Sequence, residues 1–250
     1  MREQIDTIPV NEAFEAMDEC PFCALERTVE QKAIRYAAGP GASYMEPDVR
    51  AVTDAMGFCR VHYKKLYDYG NSLGNALMLQ THYETMLLQL RQQMEDYEIP
   101  EKPGLFRRKK PAETETYPQR LSRQLRSCAI CDQVEDNMQR QYRIFFSLTK
   151  EPEFREMVEN SKGFCFVHFQ TLLEQAPQHL PASQTRWFYP TLYRVMEENL
   201  VRVKGDLDHL IAKYDHRNSG LPWGNAKDAL QRTIQKLSGV SPAEPPYRKD

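Results

Sequence analysis

Apolar side chains return along this chain with the period of a helix. Leu25, Val29, Ala33 and Tyr36 recur every three or four residues, as do Val134, Met138, Tyr142 and Phe145, which predicts two amphipathic helices. Two longer runs follow, Leu73, Leu77, Tyr83, Leu87, Leu90, Met94 and Tyr97, then Leu192, Val195, Val203, Leu207, Leu210 and Tyr214. No stretch alternates apolar and polar residues over the length of a strand, and β-branched clusters are scarce. The pattern predicts an all-α fold. Met86, Met94, Phe145, Phe146 and Trp187 are then core positions, with a groove for a partner helix as the other use of such a face.

The breaks in the pattern divide the chain. Glu98 to Gln119 carries four prolines, Gly104 and the basic run Arg107-Arg108-Lys109-Lys110, and reads as an exposed linker. Asn218 to Pro222 stops the last long run, a short helix follows over Ala226 to Leu237, and the Pro-rich charged tail after Gly239 frays. This gives a helical region at 1–97, a linker at 98–119, a second helical region at 120–217 and a C-terminal segment at 218–250.

The two helical regions are copies of one another. Gly57-Phe58-Cys59-Arg60-Val61-His62 returns as Gly163-Phe164-Cys165-Phe166-Val167-His168. A Cys-x-x-Cys precedes each, Cys20-Pro21-Phe22-Cys23 and Cys128-Ala129-Ile130-Cys131, at a similar interval. Between them Glu46-Pro47-Asp48 is echoed by Glu151-Pro152-Glu153, predicting a Pro-started short helix in both copies. All six cysteines are consumed by this pattern.

Such spacings suit a metal ion. A cysteine and a histidine three apart in the first turn of a helix lie on one face, and a Cys-x-x-Cys at a helix start adds two thiolates favoured by the helix dipole. Gly57 and Gly163 would each end the preceding short helix in a left-handed residue and turn the chain into the next. Proximity in sequence groups Cys20, Cys23, Cys59 and His62 as one site and Cys128, Cys131, Cys165 and His168 as the other. A crossed grouping uses the same eight ligands. Three thiolates and one imidazole close a tetrahedron around zinc, so two structural zinc ions per chain are expected. A [2Fe-2S] cluster could take the same Cys3His set. Thiol-disulfide exchange at Cys-Pro-Phe-Cys wants a preceding apolar strand, and Asn11 to Glu19 is acidic and broken.

Composition excludes little more. The formal charge of -2 gives no field toward nucleic acid or an anionic membrane, and Arg107 to Lys110 is too short and lacks interleaved aromatics. No segment has the ~18 uninterrupted apolar residues of a membrane span, and Met1 to Val10 has no signal-peptide core, which together predict a cytoplasmic protein. His82, His179, His209 and His216 have no cysteine at ligand spacing and read as surface or packed residues. No phosphate-binding glycine loop, Gly-x-Ser-x-Gly or His-Glu-x-x-His is present, and no catalytic residue nominates itself.

The order Cys-Pro-x-Cys, Gly-Phe-Cys-x-x-His, Cys-x-x-Cys, Gly-Phe-Cys-x-x-His, then Tyr214 to Gly224, with Thr7-Ile8-Pro9-Val10 ahead of the first pair, resembles a prokaryotic family known only as a domain of unknown function. Ala129 stands where that family often has proline, which leaves the ligand atoms unaffected. The resemblance implies the helical, metal-binding reading and brings no activity. The function expected is a zinc-stapled scaffold that binds a protein partner, with a thiol-based redox or metal sensor as the alternative.

Overall fold

The structure, a computed structural model, describes residues 5–41, 43–95, 115–218 and 220–242. Among them are eleven α-helices and no strand. In chain order they are α1 (Ile8–Glu15), α2 (Pro21–Ala38), α3 (Pro47–Met56), α4 (Arg60–Tyr69), α5 (Ser72–Glu95), α6 (Tyr117–Arg126), α7 (Ala129–Leu148), α8 (Pro152–Glu159), α9 (Phe166–His179), α10 (Ala182–Lys213) and α11 (Ala229–Ser238). Proline opens α2, α3 and α8, where the missing N–H costs nothing and the fixed φ already suits a helix.

The helices form two compact units that do not follow the sequence copies. One unit joins Met1–Val29 to Asp136–Pro245, and the other is Glu30–Glu135. The boundaries fall inside α2 and α7, so each of these helices contributes residues to both units. Each unit therefore combines the Cys-x-x-Cys of one copy with the Gly-Phe-Cys-x-x-His of the other, where the sequence had suggested one helical region per copy.

The first unit has an aromatic core. Phe22, Phe145, Phe146, Phe154, Phe164 and Phe188 are all buried, and Phe14 stacks on Phe145 with ring centroids 5.8 Å apart. Phe22 lies 4.8 Å from the ring of Tyr142 and 5.7 Å from that of His168, so this core leads directly to a candidate ligand. Met138, Tyr142 and Phe145 of the predicted α7 stripe are buried here, and Val134, the first residue of the stripe, is buried in the second unit.

The second unit is thinner. Its buried side chains include Ala33, Ile34, Ala37 and Ala38 of α2, Phe58, Leu66 of α4 and Met78 of α5. Here a sequence expectation fails. The apolar run of α5 was read as a core face, yet Leu73, Tyr83, Leu87, Leu90 and Met94 are exposed, Leu77 is half-buried, and Tyr97 lies outside the described residues. The buried residues of α5 are Gly74 and Met78, and half-buried polar groups anchor the helix beside them. The Asn75 side chain donates to the Leu66 carbonyl at 2.7 Å, Thr81 donates to Asp54, and a ring nitrogen of His82 lies 2.9 Å from the Asp54 carbonyl oxygen.

Two smaller corrections concern helix ends. The segment read as linker ends in structure: Thr116 caps α6, its backbone N–H donating to the Gln119 side chain at 2.9 Å, so residues 117–119 are helical. The remainder, 98–114, lies outside the described residues, as does the tail from 243. Gly57 does cap α3, with φ 61°, whereas α8 stops at Glu159 and Gly163, with φ 74°, serves in the loop that follows.

Candidate metal centres

All eight predicted ligands come together in two groups of four, and the grouping is crossed. Cys20, Cys23, Cys165 and His168 form the first centre, and Cys59, His62, Cys128 and Cys131 the second. The sequence-proximal grouping is thus overturned, and the same eight residues make up the two groups. The physical reason is local: each Cys-x-x-Cys is turned toward the Gly-Phe-Cys loop of the other copy by contacts made just before the cysteines.

In the second unit those contacts are direct. The Ser127 hydroxyl, one residue before Cys128, donates to the carbonyl of Met56 at 2.7 Å, and the Ala129 N–H donates to the carbonyl of Gly57 at 3.1 Å. In the first unit the equivalent residues are Glu19, before Cys20, and Lys162, before Gly163. A third residue bridges them: buried Lys236 of α11 donates its ammonium to both the Glu19 and Lys162 carbonyls. The Lys236 Nζ also lies 3.3 Å from the Glu19 carboxylate, which takes a 2.6 Å hydrogen bond from Arg202.

Every ligand pair has the same helical placement. Cys20, Cys59, Cys128 and Cys165 each sit immediately before the first residue of α2, α4, α7 and α9, and Cys23, His62, Cys131 and His168 each occupy the third helical position. This is the spacing of a capping box, and at α7 and α9 sulfur is the capping atom. Cys165 Sγ accepts the His168 N–H at 3.4 Å, and Cys128 Sγ accepts the Cys131 N–H at the same distance. Each centre is therefore a meeting of two helix N-termini, whose unpaired N–H groups and dipoles favour thiolate over thiol.

The distances fit one ion. In the first centre His168 Nδ1 lies 3.1 Å from Cys165 Sγ, 3.4 Å from Cys23 Sγ and 3.5 Å from Cys20 Sγ, and the Cys23 and Cys165 sulfurs are 3.5 Å apart. In the second, His62 Nδ1 lies 3.2 Å from Cys128 Sγ and 3.3 Å from both Cys59 and Cys131 Sγ, with Cys59 and Cys131 3.8 Å apart. A tetrahedral zinc at its usual bond lengths has S···S edges of about 3.8 Å and S···N edges of about 3.5 Å.

Left to themselves the four groups titrate against one another. In the first centre, hydrogen bonds from Cys20 and Cys23, with His168 adding to them, hold the Cys165 thiol far below its ordinary range, while Cys165 and Cys20 push Cys23 far above its own. Burial lowers His168, but its bonds to Cys165 and Cys20 outweigh that and raise it to about 10. In the second, burial raises Cys128 and the His62 hydrogen bond more than reverses this, to about 6, while His62 is itself raised to about 10 by Cys128 and Glu30 against its burial. A donor set that draws protons onto its histidine in this way is one that attracts positive charge.

Both imidazoles present Nδ1 to the sulfurs and face a carboxylate with Nε2. Glu30 Oε1 is 2.9 Å from His62 Nε2, and Lys65 binds the other oxygen of Glu30. Glu26 Oε2 is 3.6 Å from His168 Nε2. Such outer partners fix the tautomer and orientation of a metal-binding histidine. Both carboxylates come from α2. The matching positions of α7 are Val134 and Met138, which are buried, so the two copies have diverged in this respect.

The two centres differ in cover. All four ligands of the first are buried, and α11 ends over them: a Cβ at Gly239, which has φ 77°, would stand 3.5 Å from Cys165 Sγ and 3.6 Å from Cys23 Sγ. In the second, His62 and Cys128 are buried, Cys59 is half-buried and Cys131 is exposed. Reading the sequence did not find Glu19, Glu26, Glu30, Lys236 or Gly239, because none belongs to the repeated Cys-x-x-Cys or Gly-Phe-Cys-x-x-His pattern. The remaining histidines stay outside both centres, as expected: His179 stacks on Phe146 with ring centroids 5.1 Å apart, and a ring nitrogen of His209 lies 2.9 Å from the Pro222 carbonyl oxygen.

Among the described residues no helix is long and apolar enough to cross a membrane. No curated protein and no solved structure matches the chain. Residues 1–244 match a family of unknown function, DUF6062, and the chain belongs to that family.

Proposed function

We propose that each centre holds one zinc ion and that the protein is a zinc-stapled helical scaffold, cytoplasmic and non-catalytic, whose role is to present its helices to a protein partner. The observation that carries this reading is the pair of Cys3His tetrahedra at helix N-termini. Four protein ligands leave no open position for a substrate or an activated water, which is the pattern of structural zinc. A [2Fe-2S] cluster would divide its donors between two irons, whereas all four donor atoms here lie within 4.8 Å of one another. Each ion joins the starts of two helices, so its binding free energy becomes folding free energy for the unit that contains it.

The test is elemental analysis of the purified chain with an absorption spectrum, repeated for Cys59→Ser and Cys165→Ser. Two zinc per chain, falling to one in each variant, supports the reading. Iron with visible absorption replaces it with a cluster protein, and the absence of any metal removes it.

The exposure of Cys131 favours a second reading for the second centre alone, as a thiol that senses oxidant or metal supply. Release of one zinc at mild oxidant doses, restored by reductant, would support it. Retention of both ions would exclude it.

A further inference from the structure

The outward face of α5 carries a seam that its own unit does not cover. Leu73, Ala76, Gln80, Tyr83, Leu87, Leu90 and Met94 follow one another at alternating intervals of three and four residues, the a and d positions of a heptad pattern, and all seven are exposed. Six of the seven are apolar. Meanwhile Asn75, Thr81 and His82 face inward and are hydrogen-bonded. Tyr83 and Met94 are 67% and 69% exposed, values that separate them from a core face whose neighbours are merely imperfect. α5 is thus turned with its polar side to its own unit and its apolar side to solvent. The helix, of 24 residues, is about 36 Å long.

Charge says what fits the seam. With these a and d positions, Glu84 and Arg91 occupy e positions beside the apolar stripe, and both are exposed. Neither makes an ion pair among the described residues. In an antiparallel pair of identical helices, e positions face e positions, and one register sets Glu84 of each helix against Arg91 of the other. The same register stacks Tyr83 on Met94 and Leu87 on Leu90, each layer occurring twice about a twofold axis between residues 88 and 89. Moving the register by one heptad toward the N-terminus sets Glu84 against its own copy. Parallel pairing matches Glu84 and Arg91 with the uncharged g positions Leu79 and Met86.

The geometry points to self-association: the occupant of this face is α5 of a second copy of this chain, packed antiparallel and held by the layers from Tyr83 to Met94 and two Glu84–Arg91 pairs. This deepens, and rests on, the scaffold reading by naming the partner of its exposed helix. Metal content and molecular mass are separate readouts, so failure of the zinc assignment and failure of this assignment are distinguishable.

Sedimentation equilibrium on the zinc-loaded full chain is the experiment. Dimer of twice 29.2 kDa is expected at high micromolar concentration. Leu87→Glu with Leu90→Glu should give monomer with unchanged helicity and metal content, because both side chains are exposed. Glu84→Arg or Arg91→Glu alone turns two attractions into two repulsions and should weaken the dimer roughly tenfold or more. The two reversals combined should restore it. A wild-type chain that stays monomeric, whether because residues 96–114 cover the seam or because a different protein binds there, overturns the proposal. A dimer indifferent to the Leu87 and Leu90 changes, or single reversals that the double does not rescue, overturns it equally.

Discussion

Cys20 Sγ lies 3.5 Å from His168 Nδ1 although 148 residues separate them in sequence. The other copy shows the same exchange, with His62 Nδ1 3.2 Å from Cys128 Sγ across 66 residues. Crossed pairing makes a prediction that sequential pairing reverses. In Cys165→Ser, alkylation under native conditions should reach Cys20 and Cys23 while Cys128 and Cys131 stay protected. Mass spectrometry of the modified peptides reads the result, and labelling of Cys128 and Cys131 instead would return the ligands to their own copies.

The difference in cover predicts two rates of metal loss. A chromogenic chelator should take zinc first from the centre containing exposed Cys131 and only later from the one beneath Gly239. Two kinetic phases of equal amplitude are expected, with Cys59→Ser lacking the fast one. A single phase, or loss of the slow phase in that variant, would contradict the order.

Lys236 holds the loops of the first centre together from a distance. Burial pushes its ammonium below the ordinary lysine range, and the adjacent Glu19 carboxylate works against that. Lys236→Met keeps the volume but leaves the Glu19 and Lys162 carbonyls without their buried donor and takes one of the cations from the Glu19 carboxylate, which keeps Arg202, at a cost of about 3 kcal/mol. Lys204, exposed and among the described residues paired with Asp208 one turn away, is the control, and Lys204→Met should change stability by no more than about 0.5 kcal/mol. Chemical denaturation of the zinc-loaded proteins measures both, and equal effects would deny Lys236 its bridging role.

Glu30 and Glu26 should tune metal affinity through the histidines they face. Glu30→Gln removes the charge that orients His62 and is expected to weaken zinc at the second centre about tenfold or more, with the first centre unaffected. Glu26→Gln should act only on the first centre, and less, since its contact with His168 is 3.6 Å rather than 2.9 Å. Competition titration against a chelator of known affinity distinguishes the two, and an unchanged second centre in Glu30→Gln would show the contact to be incidental.

How much of this could be read from the chain depends on range. The stripe Val134, Met138, Tyr142 and Phe145 is buried as its period implied, because periodicity reports which face of a helix is apolar. The same logic failed at α5, where an equally regular stripe faces solvent: periodicity does not say what will cover the face. The eight candidate ligands were legible because cysteine and histidine at helical spacing have few other uses. Their grouping was not, since it depends on the Ser127 to Met56 bond and on the Lys236 bridge between Glu19 and Lys162, contacts that leave no periodic trace.

The crossed ligands are also nested along the polypeptide. The stretch from Cys59 to Cys131 lies wholly inside the interval from Cys23 to Cys165, so an ion in the inner set shortens the loop the outer set must close, from 142 residues to about half that, worth roughly half a kcal/mol of chain entropy. That is too little to dictate a sequence of assembly at equilibrium, but synthesis imposes one. All four inner ligands have been translated once Cys131 is made, while Cys20 and Cys23, translated earlier, wait for Cys165 and His168. A nascent chain halted between the two points carries one finished knot and two thiols still looking for their partners.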